Sequence, residues 1–381
     1  MWQILQAFTM AHEFPVCFDR GTFSPDNRLL VDILGRAGKA RHRVLPVIDD
    51  QVLAGHPDLL ERMRAYAAAH ADEIELIEPP LMVRGGEICK SDPQEVDEFY
   101  QRTQTDRIDR HSFALVIGGG AVVDAMGYAA ATAHRGIRLI RMPTTVLAQN
   151  DAGIGVKNAI NYKGRKNYLG TFAAPFAVIN DYDFLSSLSA RDRICGMAEA
   201  VKVALIRDGE FFRWLHEARH RLAAFEPEAM EYMISRCAEL HLNHIRTSGD
   251  PFEQGSARPL DFGHWGAHRM EELSDSELRH GEAVAIGIAL DSLYSHAMGT
   301  INTETLLAIR DTLEGVGFTL RHKALEQLDI DAALQGFREH LGGELCITLL
   351  TAAGQAEEVG EIDLDVMHRC RQNLVEAVWP A

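Results

Sequence analysis

The sequence predicts an α/β amino-terminal half followed by a mainly α-helical carboxy-terminal half, on three observations. Short apolar runs alternate with helix-like segments through the first half. One such run leads straight into a glycine triplet, Gly118-Gly119-Gly120. Beyond about residue 186, apolar residues recur at helical spacing. In chain order, residues 43–49 form a short apolar run ending in acid, a strand weakened by Pro46 within it. Residues 112–117 read as a buried strand, 121–133 as a helix, and 137–142 and 177–180 as further strands. This alternation predicts a parallel sheet with right-handed crossovers. In the second half, Met230, Met233, Ile234, Cys237, Leu240 and His244 share one helical face. Residues 282–298 are almost wholly apolar and read as a central buried helix. Asn302 caps another helix, carrying Leu306, Ile309 and Leu313, which stops at Gly315 and Gly317. A chain of 381 residues exceeds the usual single core. Two domains are expected, 1–185 and 186–381, closely packed with a cleft between them because no linker separates them.

Composition narrows the function classes. An apolar fraction of 46% and a charged fraction of 24% are those of an ordinary globular protein. A net charge of −17 argues against nucleic acid or an anionic membrane as partner. Six cysteines are scattered without a C-x-x-C, which suits reduced thiols and a cytoplasmic location. The first residues lack a basic segment and a sustained apolar run, so no signal peptide is expected. No stretch is long enough and apolar enough for a membrane span.

Two chemical signals stand out. The segment Asp261-Phe-Gly-His264-Trp-Gly-Ala-His268 is followed sixteen residues after His264 by His280, in Arg279-His280-Gly-Glu282. Upstream, Glu199 and Lys202 lie three positions apart and so on one helical face. One carboxylate and two imidazoles suit a divalent ion such as Zn²⁺ with a position left open for substrate. Seventeen histidines produce chance pairs, so the pair takes its meaning from its company. The second signal is the glycine triplet. Glycines after a parallel strand let backbone N–H groups approach a pyrophosphate at a helix start, and a tight turn alone would use them equally well. Asp49, at a strand end, is placed to accept the ribose hydroxyls of NAD, or is simply a loop acid.

Pro143-Thr144-Thr145 leads through Asp151, Lys157 and Asn161 to Lys166-Asn167. With Gly119, Glu199, His264 and His280 following in order, the chain resembles the dehydroquinate synthase family of sugar phosphate cyclases, from about residue 49 to about 350. The resemblance implies that Glu199, His264 and His280 bind Zn²⁺ or Co²⁺, and that Asp151, Lys202 and His268 surround the reacting carbons. It implies that Lys157, Lys166 and Asn167 hold a substrate phosphate, with Lys157 also counted among the catalytic groups. Arg135 is expected to reach into the site of a second subunit, making a homodimer. For NAD it points to Asp49, Glu87, Lys90, Gly119, Gly120, Asp124, Thr144 and Thr145, with Gln51 where the family carries asparagine. The implied reaction has no net oxidation: transient oxidation of a hydroxyl, loss of inorganic phosphate, re-reduction, ring opening and an intramolecular aldol closure.

The departures from the family bear on the substrate. Dehydroquinate synthases resembling this chain carry a lysine and an arginine that grip a substrate carboxylate, and an asparagine three residues before the first histidine. Here the lysine position falls at or near His241, the arginine register holds Ala257 with Arg258 one place late, and the asparagine is Asp261. Asp261 is therefore expected to bind a substrate hydroxyl. The motif 261–268, with 338–343 near the C-terminus, looks like 2-epi-5-epi-valiolone synthases. The stretch 149–158 looks closer to the dehydroquinate-synthase-like proteins of bacterial ebo clusters. The expected substrate is sedoheptulose 7-phosphate or a close relative. A 3-dehydroquinate synthase and a metal-dependent alcohol or polyol dehydrogenase are the alternatives.

Overall fold

The structure is a computed structural model that describes residues 2–38, 41–247, 252, 260–275, 277–340 and 345–380. Ala257, Arg258 and Gly343 lie outside the described residues. The chain divides into two compact units, residues 1–144 with 155–184, and residues 145–154 with 185–381. The segment 145–154, assigned to the first half on sequence, clusters with the second unit.

The first unit is α/β. Its elements in order are β1 (Val16–Asp19), α1 (Leu29–Gly35), β2 (His42–Asp49), α2 (Asp50–Gly55), α3 (Leu59–Ala69), β3 (Ile74–Leu76) and β4 (Leu81–Val83). There follow α4 (Ile88–Ser91), α5 (Pro93–Thr105), β5 (Phe113–Gly118), α6 (Gly120–Thr132), β6 (Arg138–Pro143), β7 (Lys157–Tyr162), β8 (Arg165–Phe172) and β9 (Ala177–Asp181). The main sheet runs β1-β9-β6-β5-β2-β3, with β4 also on β2, and every pairing is parallel. Strand β5 is buried along its whole length. Its Phe113, Leu115 and Ile117 face the core shared with α1 and α3, while Ala114 and Val116 face the core shared with α5 and α6. Burial on both faces is why this strand reads as a continuous apolar run.

Pro46 does not exclude β2 from the middle of the sheet. The register with β5 runs straight through it, Leu45 opposite Ala114 and Val47 opposite Val116. On the other side pairing passes from β3, ending at Val44, to β4, starting at Val47. The missing N–H of Pro46 falls in that break, so no ladder bond is lost. Strands β7 and β8, unread from the sequence, make a separate antiparallel hairpin. Its turn residues Lys163 and Gly164 both have positive φ, 48° and 79°, as a two-residue hairpin turn with the right twist requires.

The second unit is mainly helical. A short π-helical stretch, residues Ala148–Ala152, precedes α7 (Ala190–Cys195), α8 (Met197–Arg207), α9 (Gly209–Ala223) and α10 (Pro227–Thr247). Then come α11 (His264–Leu273), α12 (His280–Ala297), α13 (Thr303–Val316), α14 (Lys323–Glu326), α15 (Ile330–His340), β10 (Ile347–Ala352), β11 (Gln355–Val359) and α16 (Leu364–Val375). Helix α12 is buried almost throughout, as its composition implies. Asn302 caps α13 by accepting from Thr305 N at 2.9 Å. The antiparallel β10–β11 pair was not expected in this half. No helix among the described residues is long and apolar enough to cross a membrane.

Candidate active site

Helix α8 places Glu199 in its first turn and Lys202 one turn later, and both are buried. They form an ion pair. His264 is the first residue of α11 and His280 the first of α12. Their Nε2 atoms stand 3.6 and 3.4 Å from Glu199 Oε1. What aims them is the other ring nitrogen. His264 Nδ1 donates to the Phe262 carbonyl at 3.1 Å, and His280 Nδ1 donates to Glu271 Oε1 at 2.8 Å. With each Nδ1 so engaged, each Nε2 turns toward the carboxylate, the arrangement that orients metal-ligating imidazoles.

The electrostatics suit a cation. Burial alone would raise the Glu199 carboxyl, but Lys202, His280 and His264 hold it well below the usual carboxylate range. Burial, reinforced by Lys202, pushes His264 well below the usual imidazole value. His280 is driven the other way, up to about 10, because contacts with Glu199 and Glu271 outweigh its burial. Neither Glu199 oxygen accepts a hydrogen bond of good geometry. Donor atoms of Glu199, His264 and His280 all lie within 4.8 Å of one another. A buried carboxylate paired with Lys202 and faced by two inward imidazole nitrogens fits a divalent metal that replaces the proton on His280.

Around this centre lie the other candidates of the second unit. Asp151 lies in the π-helical stretch, and its Oδ1 is 3.3 Å from His241 Nε2. His241 is buried on α10, and its Nδ1 donates to the Cys237 carbonyl at 3.1 Å. Lys202 feels Asp151 and Asp261 as well as Glu199. Although burial lowers its pKa, these carboxylates raise it above the usual lysine value. His268 is exposed, but its ring lies 5.6 Å from that of His264 and 6.0 Å from that of His280. The sequence reading missed Glu271 and Asp291. A lone acid in the apolar run of α12 was the available signal for the latter.

In the first unit, β5 ends at Gly118 and α6 starts at Gly120, with Gly119 as its N-cap in extended conformation. A thirteen-residue helix thus begins at the strand end, as phosphate binding by free backbone N–H groups requires. Asp49 is buried at the end of β2 and caps α2 through Gln51 N at 2.9 Å. Burial raises its pKa against these backbone bonds. Asp124 does not cap its own helix. It pairs with Lys90 at 2.8 Å.

Lys90 also donates to Asn167 Oδ1, and Asn161 Nδ2 donates to Glu87 Oε1 at 2.6 Å. Residues read from the sequence as two groups, one for cofactor and one for phosphate, therefore form one hydrogen-bonded network. Asn167 is held at φ 52° within it. Lys157 and Lys166 are exposed on β7 and β8. Thr144 N donates to the Gly118 carbonyl at 3.0 Å, whereas Thr145 belongs to the second unit and its hydroxyl accepts from Ala148 N at 3.1 Å. Arg135 is exposed after α6, and both it and His134 have positive φ, 64° and 52°.

Two family models match in tandem, 3-dehydroquinate synthase N-terminal over residues 80–195 and 3-dehydroquinate synthase C-terminal over residues 196–339. A 3-dehydroquinate synthase of Shewanella sp. (strain MR-4) is 31% identical over 366 residues, 95% of this chain and 97% of that protein. Among solved structures, 2-epi-5-epi-valiolone synthase from Streptomyces hygroscopicus subsp. jinggangensis 5008, with NAD⁺ and Zn²⁺ bound, superimposes with a TM-score of 0.86 and 28% identity. That likeness covers 99% of this chain and all of the other. A 2-deoxy-scyllo-inosose synthase complexed with carbaglucose-6-phosphate, NAD⁺ and Co²⁺ shares the fold at a TM-score of 0.72 and 21% identity, covering 95% and 96% of the two chains.

Proposed function

The chain belongs to the 3-dehydroquinate synthase family of sugar phosphate cyclases, and on that premise we propose an NAD- and metal-dependent cyclase converting sedoheptulose 7-phosphate, or a close relative, to a valiolone-type carbocycle with release of inorganic phosphate. The observation that carries the substrate class is the charge around Lys202. Glu199, Asp151 and Asp261 are three carboxylates that all act on this one buried ammonium. A further carboxylate, brought by the substrate to about 4 Å from one of these, would cost about 4 kcal/mol at an effective dielectric of 20, or about a thousandfold in affinity. His241, at the place where the family's carboxylate-gripping lysine falls, is buried against Asp151. A hydroxymethyl group, donating to Asp261, suits these surroundings better. The likeness to 2-epi-5-epi-valiolone synthase over the whole chain supports the same choice.

A metal held by Glu199, His264 and His280 supplies Lewis acidity toward a substrate hydroxyl, and NAD, held through the start of α6 with Asp49, supplies reversible hydride exchange. Lys202 steadies negative charge developing on a substrate oxygen, its own charge secured by Glu199. Asp151 and His268 orient the hydroxyls of the substrate. Lys157, Lys166 and Asn167 take its phosphate, with Arg135 contributed by a second copy.

The nearer rival reading is 3-dehydroquinate synthase itself, favoured by the name of the 31%-identical relative. Phosphate release measured side by side with sedoheptulose 7-phosphate and the dehydroquinate synthase substrate separates the two. Turnover is expected with the first and little with the second, and the reverse would overturn this assignment. Bound cofactor should recycle, so phosphate accumulates over many turnovers without matching NADH absorbance. NADH formed in proportion to substrate consumed would instead establish a metal-dependent alcohol or polyol dehydrogenase.

A further inference from the structure

We propose that Asp291 is a positioning residue that fixes His264 for metal by gripping the residues on either side of it, an inference resting on the reading of Glu199, His264 and His280 as ligands. Asp291 lies in α12 and is only 1% exposed. Its Oδ2 accepts from Gly263 N at 3.0 Å and its Oδ1 accepts from Trp265 Nε1 at 2.9 Å. Gly263 and Trp265 flank His264 directly.

The backbone at this joint leaves no slack. Gly263 has φ 77°, and a Cβ there would meet Ile288 N at 2.7 Å. A Cβ on Gly287 would meet the Gly263 carbonyl oxygen at 1.9 Å. The turn into α11 thus lies on the backbone of α12, whose first residue is His280. Both imidazoles hang from one helix–helix joint, and Asp291 closes it.

The acid is costly where it stands. Burial outweighs its two hydrogen bonds and raises its pKa to about 7. What it supplies is two acceptor oxygens on one side chain for two buried donors. Asparagine has one such oxygen and would turn an N–H against the other donor; alanine has none.

The test uses the full chain stripped of metal with a chelator and titrated with Co²⁺, followed by the visible absorption of the bound ion, beside the unfolding midpoint of the metal-free protein. Wild type is expected to bind Co²⁺, with Asp291→Asn weakening affinity about 10–100-fold. Trp265→Phe, which removes the indole grip but leaves the Gly263 bond intact, should weaken affinity less than Asp291→Asn. The double variant Asp291→Asn/Trp265→Phe should recover most of the lost affinity, because the single amide oxygen then serves Gly263 and no indole opposes the NH₂. A loss of fold stability alone would lower the unfolding midpoint of the metal-free protein and leave the Co²⁺ affinity of the folded chain unchanged. Should Asp291→Asn fail to fold, the double variant is compared with Asp291→Ala/Trp265→Phe, and tighter Co²⁺ binding by the former is expected. Equal affinity in that comparison, or wild-type affinity in Asp291→Asn, would overturn the positioning role. A wild-type chain that takes up no Co²⁺ would overturn the metal reading itself.

Discussion

Glu199 and Lys202 show how a single pair of residues carries both stability and chemistry. Both side chains are buried and each is the other's main source of charge compensation. Removing one partner leaves an uncompensated buried charge, which costs more than replacing both. Lys202→Met is therefore expected to destabilise the metal-free protein by about 3–5 kcal/mol in urea unfolding, because it leaves the buried carboxylates without their ammonium, and Glu199→Gln added to it should restore part of the loss. Equal midpoints for the single and double variants would show that the pair is not the source. His264→Ala tests the neighbouring claim. It should lower the metal content of purified protein and abolish turnover, and full metal occupancy in that variant would remove His264 from the ligand set. The residue types at these positions were legible in the sequence. Their aim was not, because it depends on Phe262 and Glu271 holding the opposite ring nitrogens.

At the scale of elements, α9 and α10 are joined through Asp208. Its Oδ1 caps α9 by accepting from Phe211 N at 3.0 Å, and its Oδ2 pairs with Arg236 of α10 at 2.5 Å. Losing the cap in Asp208→Ala should cost about 1–2 kcal/mol in urea unfolding at neutral pH. Arg236 also pairs with Glu239, so it is not orphaned by that change. The sign with pH follows from the carboxyl. Partial burial pushes it up, but Arg236 and the cap bond hold it below the usual range. Its contribution is thus complete above about pH 4 and disappears as pH falls through the lower folded value. The gap between wild type and Asp208→Asn, which keeps a cap but not a charge, should accordingly narrow in acid. Strands and helices with continuous apolar runs, such as β5 and α12, were read close to their observed bounds. The β7–β8 hairpin was not, since its exposed strands carry little apolar alternation and only the Lys163-Gly164 turn marks it.

For the whole molecule, the working unit is expected to be a homodimer in which Arg135 of one copy completes the site of the other. Two adjacent residues held at positive φ, His134 and Arg135, form an exposed turn of the strained kind that clusters at functional positions. The expectation is tested by mixing an Arg135→Ala subunit with a His264→Ala subunit. In the mixed dimer both lesions fall in one site and the other is whole, so activity should reappear. Demonstrated subunit exchange with no rise above either parent would reject the shared site.

The sequence alone determined the strand–helix alternation, the apolar cores and the identity of the metal, phosphate and nucleotide candidates. The alternation and the cores follow from local composition and periodicity, and the candidate residues from the resemblance to the dehydroquinate synthase family. Only the tertiary structure joined Lys90 to Asp124 and Asn167, because those residues come from separate elements brought together by the sheet and the β7–β8 hairpin. It alone brought Asp151 to His241, and tied Asp291 to the two neighbours of His264. A periodic pattern reports which face of an element is apolar. Which buried donor meets which acceptor is fixed by packing across distant segments, where an unsatisfied polar group would cost more than any local preference can offset.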